Sequence, residues 1–316
     1  MSSQYETPNY PLRPAKRVQR KMLCEAFARL GQFAPLNRYR YVGFGAAYFT
    51  DFILLHKVLG VHDMVSIERE AEGRGRFLFN RPYRCVEIEF GKSTAVLPRL
   101  CWQKRSIVWL DYNDRLDDDI LEDVTHVFGR IHDGSVVAIT VNAHPLPWRP
   151  GGKERLEDLR NRVGKHRVPG RVKQSDLGEW GTAGISRAII DEEIKRAIAD
   201  RNGLRPAGSR FMYKQLFNFR YADGERMLTV GGIVYREDQS RALASCGFED
   251  LSFVRTDEQP FEIYVPNLTY LERRALDSGL PRDGAEQMPL DWIPEREREA
   301  YARCYRYYPT FAETEL

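Results

Sequence analysis

No stretch of this sequence stays apolar for the roughly 20 residues that a bilayer-spanning helix requires. Met1 to Asn9 also lack the apolar centre of a secretory signal. No membrane partner is therefore expected. Cysteine is sparse: the five residues, Cys24, Cys85, Cys101, Cys246 and Cys304, form no CxxC pair and have no histidine-rich segment beside them. That spacing excludes a structural zinc knot and a disulfide framework, and fits a reducing, cytoplasmic setting. Net charge is nearly absent too, at +3 from 48 Lys plus Arg against 45 Asp plus Glu. Repeats and low-complexity tracts are missing, which excludes solenoids and fibrous folds.

What is present is an ordinary globular balance, 42% hydrophobic and 29% charged over 316 residues, long enough to bury a full α/β core. The charges are unevenly placed. Arg13, Lys16, Arg17, Arg20 and Lys21 crowd the start, and Lys153, Arg155, Arg160, Arg162, Lys165, Arg167, Arg171 and Lys173 form a second basic stretch. Such runs fit either phosphates of a nucleic acid or nucleotide, or a solvated helix face.

Residues 14–31 read as an amphipathic helix, with Val18, Met22, Ala26 and Leu30 at helical spacing and Gly31 as its stop. Short apolar runs follow at 39–44, 64–67, 85–90, 107–110 and 136–141, alternating with helical stretches at 48–59, 71–80, 93–102 and 117–131. Strands separated by crossover helices predict a mostly parallel sheet covered on both faces. Pro145, Pro147, Pro150, Gly151 and Gly152 break the rhythm. A helix over about 184–201 then precedes two strand runs, 215–221 and 227–235, flanking Ala222-Asp223-Gly224-Glu225, a hairpin signal. The predicted fold is α/β: a Rossmann-like, doubly wound, mostly parallel sheet ending in an antiparallel hairpin, with helices on both faces. The expected organisation is a basic helical segment over 1–36, the sheet domain over 37–265 with an insertion at about 144–210, and an aromatic-rich extension over 266–316. The aromatics of that extension, Tyr270, Trp292, Tyr301, Tyr305, Tyr307 and Tyr308 among them, are expected to cover apolar surface.

The first strand ends in Tyr41-Val42-Gly43-Phe44-Gly45-Ala46-Ala47. Gly43 permits a tight turn, and Gly45 allows backbone amides to approach a ligand at the helix start. A dinucleotide fingerprint needs a third glycine where Tyr48 stands, so NAD is disfavoured and a cofactor without phosphates is not. Glu68 ends the second strand a little over twenty residues on, where a carboxylate accepts from ribose hydroxyls. The alternative is a surface glutamate at a strand end.

With these features in place, the chain resembles the class I S-adenosylmethionine-dependent methyltransferases, and more closely the small-molecule O-methyltransferases of the catechol type and their bacterial relatives. The resemblance covers about 39–142, with weaker support from 184–235. It implies S-adenosylmethionine as cofactor, with Gly43, Phe44, Gly45, Ala46 and Glu68 around it. Phe90-Gly91-Lys92-Ser93 and then Val96-Leu97-Pro98 resemble the family's third-strand motif, whose turn borders the adenine; Gly91 and Ser93 match, whereas Lys92 stands in the acidic position. Leu110-Asp111 resembles the end of the fourth strand. Asp111 is implied as a cofactor-binding and catalytic residue, and its counterpart in metal-dependent relatives holds magnesium with an Asp-Asn pair ending the fifth strand. Here Thr140 and Val141 occupy that pair and Asn142 comes one residue late, so no metal site is expected. The Asp/Asn-Pro-Pro-aromatic signature of base methylation is absent from Asp111-Tyr112-Asn113-Asp114.

Metal-free transfer to oxygen needs a base, and His144, just past the fifth strand, is the candidate, since histidine ordinarily titrates near neutrality. A loop histidine bonded to backbone is the alternative. The sequence thus describes a methyltransferase acting on a small-molecule acceptor. The competing description is a non-catalytic S-adenosylmethionine or nucleotide-binding protein whose basic segments meet nucleic acid or a protein partner. It fixes no oligomeric state.

Overall fold

The computed structural model describes residues 13–69, 73–146, 155–282 and 288–309. Met1 to Asn9, Pro147, Pro150, Gly151, Gly152 and Lys153 lie outside the described residues. In chain order the elements are α1 (Pro14–Ala28), β1 (Arg40–Gly43), α2 (Thr50–Leu59), β2 (Asp63–Glu68), α3 (Arg74–Asn80), β3 (Val86–Phe90), α4 (Ser93–Val96), β4 (Ser106–Arg115) and α5 (Asp118–Arg130). Then come β5 (Ser135–Asn142), α6 (Arg155–Val163), α7 (Gly181–Asn202), β6 (Phe211–Asp223), β7 (Glu225–Arg236), α8 (Ser240–Ser245), β8 (Phe261–Ile263), α9 (Tyr270–Asp277) and α10 (Glu295–Cys304).

Eight strands form one sheet in the order β3-β2-β1-β4-β5-β7-β6-β8. Every pairing is parallel except those of β7, which runs antiparallel to both β5 and β6. The chain starts at β1, winds outward to β3, and crosses back to β4 on the other side of β1. The crevice between the carboxyl ends of β1 and β4 is therefore the topological switch point, where open α/β sheets bind ligands. The Rossmann-like fold and the terminal hairpin expected from the sequence are both present. The hairpin turns at Gly224, whose φ of +95° suits glycine, with Asp223 opposite Glu225.

Alternation along the strands sorts side chains onto two faces. Tyr41, Trp109 and Ala138 face α1 and α2, packing with Val18, Met22, Phe27 and Phe52. Val42, Val108, Leu110, Val137 and Ile139 face α5 and α7, packing with Leu121, Val124, Phe128, Ile189 and Ile194. The Asp117 carboxylate caps α5 by accepting from the Ile120 N–H at 3.0 Å. The predicted helix at 93–102 is a single α turn followed by a 3-10 turn at Leu97–Arg99, because Pro98 and the extended Leu100 stop it. Among the tail aromatics Tyr301 and Tyr307 are buried, while Tyr270 and Trp292 face solvent. Among the described residues, no helix is long and apolar enough to cross a membrane.

Candidate cofactor and acceptor site

The turn after β1 is shaped by the protein's own atoms. A Cβ on Gly45 would lie 2.5 Å from the Phe49 ring and 2.6 Å from Ser66 Oγ, and one on Gly43 would lie 2.5 Å from the Tyr41 hydroxyl. Ala46 and Phe49 both adopt positive φ, at 47° and 48°, which costs energy in side chains with a Cβ. Phe49 is held there by burial and by its N–H donating to the Gly45 carbonyl at 2.8 Å.

Glu68 gathers this corner. It is only 1% exposed, which removes the surface-glutamate alternative. Its Oε1 accepts from the Gly45 N–H at 2.9 Å and from the Ser66 hydroxyl at 2.6 Å. The Gly45 N–H also lies 2.9 Å from Ser66 Oγ. The Glu68 carbonyl accepts from the Gly91 N–H at 3.0 Å. One residue thus joins the ends of β1, β2 and β3. The Gly45 amide, expected to face a ligand, is engaged inward by a carboxylate. A phosphate cradle needs open N–H donors, and the Gly45 N–H is not one of them.

Beyond Gly91, Lys92 is exposed and reaches toward α5, its Nζ 3.9 Å from Asp119 Oδ2. Ser93 bonds the Asp123 side chain, which also accepts from the Tyr112 hydroxyl at 2.6 Å. Tyr112 meets Phe44 edge-on, with ring centres 5.1 Å apart. Burial of Asp123 pushes its carboxyl up to about 6, against the hydroxyl bonds that pull it down.

Asp111 leaves β4 toward the other face. Its Oδ1 accepts from Lys16 Nζ at 2.6 Å, and Lys16, carried by α1, has no exposed side-chain surface while Asp111 keeps 10%. The ammonium also lies over the Trp109 ring, 4.5 Å from its centre. Burial lowers the Lys16 pKa to about 8, opposed chiefly by Asp111. Alongside, Arg20 Nε donates to Asp51 Oδ1 at 2.5 Å, and Gln19 Nε2 donates to the Thr229 hydroxyl. Thr229 shares a bond of 2.7 Å with the Thr140 hydroxyl, which accepts from Trp109 Nε1 at 3.0 Å. Asp223 caps α1, accepting from the N–H of Ala15 at 3.1 Å and of Lys16 at 2.8 Å.

Asn142 Oδ1 accepts from the His144 N–H at 2.8 Å, and Val141 points into the opposite core. His144 lies at the same sheet edge as Asp111, yet four residues beyond the Thr140 that registers with it, about 13 Å at strand rise. Among the described residues no hydrogen bond or ion pair joins the two. His144 Nδ1 instead lies 3.3 Å from Glu225 Oε2 at the hairpin tip. The structure therefore brings Gly43, Gly45, Glu68 and Gly91 together and sets His144 apart from Asp111. It adds Lys16, Ser66, Tyr112, Asp123 and Glu225, which sequence reasoning does not single out.

Several members of the basic runs have partners within the fold. Lys21 Nζ donates to the Tyr308 carbonyl and Arg155 Nε to the Leu146 carbonyl; Arg162 pairs with Asp158, and Arg167 with Glu193 and Asp118.

A family described as "Putative O-methyltransferase" matches residues 8–316 of the chain. The chain belongs to that family. That description agrees with the methyltransferase class expected from the sequence. No curated protein matches it. Among solved structures it is similar to cofactor-bound Rv0187 from MTB, at 12% identity and a TM-score of 0.37, covering 68% of this chain and 79% of that one. An rRNA methylase from Streptococcus thermophilus gives 10% and 0.36, over 68% and 95%. Spermidine synthase from Thermotoga maritima gives 8% and 0.40, over 78% and 68%. Likenesses this low carry no residue role or substrate across to this methyltransferase.

Proposed function

We propose that the protein methylates an oxygen of a small-molecule acceptor without a metal, binding S-adenosylmethionine in the crevice between β1 and β4. The observation that carries this reading is that each of the three side chains at the expected metal position, Asp111, Thr140 and Asn142, already has an oxygen engaged. Asp111 meets an ammonium, Thr140 bonds Trp109 and Thr229, and Asn142 bonds the His144 amide. A magnesium ion prefers six oxygen ligands in octahedral array, and this donor set does not fit one.

The same residues fit the cofactor. Glu68 and Asp111 place carboxylate acceptors on the two sides of the switch point, suited to hydroxyl and ammonium donors, and the Gly45 N–H is not open to a phosphate. Bound there, S-adenosylmethionine would supply an electrophilic methyl to the acceptor oxygen, the C–S electron pair staying on sulfur, and the acceptor proton would pass to a base of this chain. The chain's own contribution is to hold the ribose at Glu68, to border the adenine with Phe44 and Tyr112, and to exclude water. His144 takes the acceptor proton at Nε2, with the Glu225 carboxylate 3.3 Å from Nδ1 on the other side of the ring. The internal pairing of Arg20, Arg155, Arg162 and Arg167 supports a small acceptor over a nucleic acid.

The test is transfer of labelled methyl from S-adenosylmethionine to a panel of phenols and hydroxylated metabolites, with and without excess EDTA. Transfer that persists in EDTA is expected. Strict dependence on magnesium would overturn the metal-free reading, and tighter binding of NAD than of S-adenosylmethionine would overturn the cofactor site.

A further inference from the structure

Among the described residues Lys16 is the only buried lysine. Its position is not explained by helix packing, because a fully buried ammonium gives up its hydration. It lies against Oδ1 of Asp111, whose side chain, near the carboxyl end of β4, retains a tenth of its surface. Around it stand the second pair, Arg20 with Asp51, and the Asp223 carboxylate that caps α1. The Asp111 carboxylate is thus backed, from α1, by one opposite charge in direct contact.

The cofactor of this family enters as a sulfonium cation and departs as a neutral thioether. A lone carboxylate at the end of β4 would bind the cation better than the neutral species. It would therefore stabilise the ground state over a transition state in which that charge is vanishing. A lone ammonium would repel the cofactor. We propose that Lys16 and Asp111 form a charge-cancelling pair that sets the site's preference between S-adenosylmethionine and S-adenosylhomocysteine. Lys16 is then a positioning residue that acts through Asp111. The proposal rests on the cofactor reading above. At a pKa of about 8 the side chain is still an ammonium at neutral pH, as the pairing requires.

Isothermal titration of both nucleosides against four proteins tests it: the wild type, Lys16→Met, Asp111→Asn, and the double variant. Lys16→Met should shift the affinity ratio toward S-adenosylmethionine by about tenfold, the size expected of one unit charge acting through roughly 10 Å at an effective dielectric of about 20. Asp111→Asn should shift the ratio by a similar factor the other way. The double variant should return near the wild-type ratio, because both charges are gone. Should Lys16→Met fail to fold, Asp111→Asn against the double variant gives the same comparison. Losing affinity for both nucleosides by one factor, in every variant, would reduce Lys16 to a packing residue and overturn the proposal. A wild-type protein that binds neither nucleoside would overturn the cofactor reading itself.

Discussion

The two faces of the sheet solve the same problem, covering β4 and β5, with different chemistry. On one side α5 and α7 set Leu121, Val124, Phe128, Ile189 and Ile194 over Val108, Leu110, Val137 and Ile139, and their own buried charges, Asp123, Arg187 and Glu193, meet no charge on β4 or β5. On the other, α1 buries Lys16, Gln19 and Arg20 alongside Val18, Met22 and Phe27. Each face also buries a carboxylate close to the candidate site. Asp111 is answered by an ammonium at 2.6 Å, Asp123 by the hydroxyls of Tyr112 and Ser93. An ammonium held by a carboxylate fixes the docking register of a helix distant in sequence. Hydroxyls leave the carboxyl free to take up a proton.

The largest effect that would break this contrast lies on the apolar face. Phe128→Ala removes a fully buried ring packed edge-on against Tyr213, and should cost about 3–5 kcal/mol in urea unfolding. Cofactor affinity in the folded fraction should be unchanged; a large loss would mean the two faces are not separable. Next comes Lys16→Met, expected to cost about 3 kcal/mol by stranding Asp111, with most of it recovered when Asp111→Asn is added. Additive losses in the double variant would show that packing, and not charge, holds α1. Glu68→Gln should weaken S-adenosylmethionine binding by about 2 kcal/mol, or some tens-fold in Kd, since two charge-assisted bonds to ribose are altered. Because Glu68 also pins the Gly45 turn, its melting temperature should fall as well. Unchanged affinity in a folded variant would remove the ribose contact.

The smallest effect is a pH dependence on the apolar side. The Asp123 carboxyl is raised from 3.8 to about 6 in the fold, so the folded chain binds its proton more tightly than the unfolded chain does. Its stabilising contribution is therefore complete below about pH 4 and is lost as pH rises through about 6. A two-unit rise corresponds to about 3 kcal/mol in full, and relaxation and water penetration around the carboxyl should leave on the order of 1–2 kcal/mol of it. Asp123→Asn should flatten that part of the curve. Equal urea midpoints for wild type and variant at every pH from 4 to 7 would place the raised pKa elsewhere.

The apolar face is legible in the residue pattern alone. Short apolar runs locate the strands of the central sheet, helical spacing locates α5 and α7, and Ala222-Asp223-Gly224-Glu225 marks the hairpin. The Gly43 turn and Glu68 are legible because a strand end followed by glycine, and an acid at the next strand end, constrain each other locally. Lys16 is not. In the sequence it belongs with Arg13, Arg17, Arg20 and Lys21 to a basic cluster, and nearness along the chain says nothing about which charges share a buried helix face. Its partner lies 95 residues away, and that of Gln19 lies 210 away. The inward engagement of the Gly45 amide is equally hidden, because it depends on Ser66 and Glu68 rotating toward β1. Glu225 reaches His144 only because β7 is inserted beside β5, a pairing no local pattern around either residue announces.

The tip of the β6–β7 hairpin has a consequence for how this chain can be altered. Hairpin tips are ordinarily where insertions, permuted termini and fused domains are accepted, because little depends on them. Here Asp223 holds the start of α1 and Glu225 stands against His144, with a single glycine between them. A residue added at Gly224 would swing these two carboxylates apart and loosen the first helix of the chain and the loop after β5 together. The tip behaves as a rivet between segments made early and late in synthesis, and the length of the hairpin is constrained more tightly than that of an ordinary surface turn.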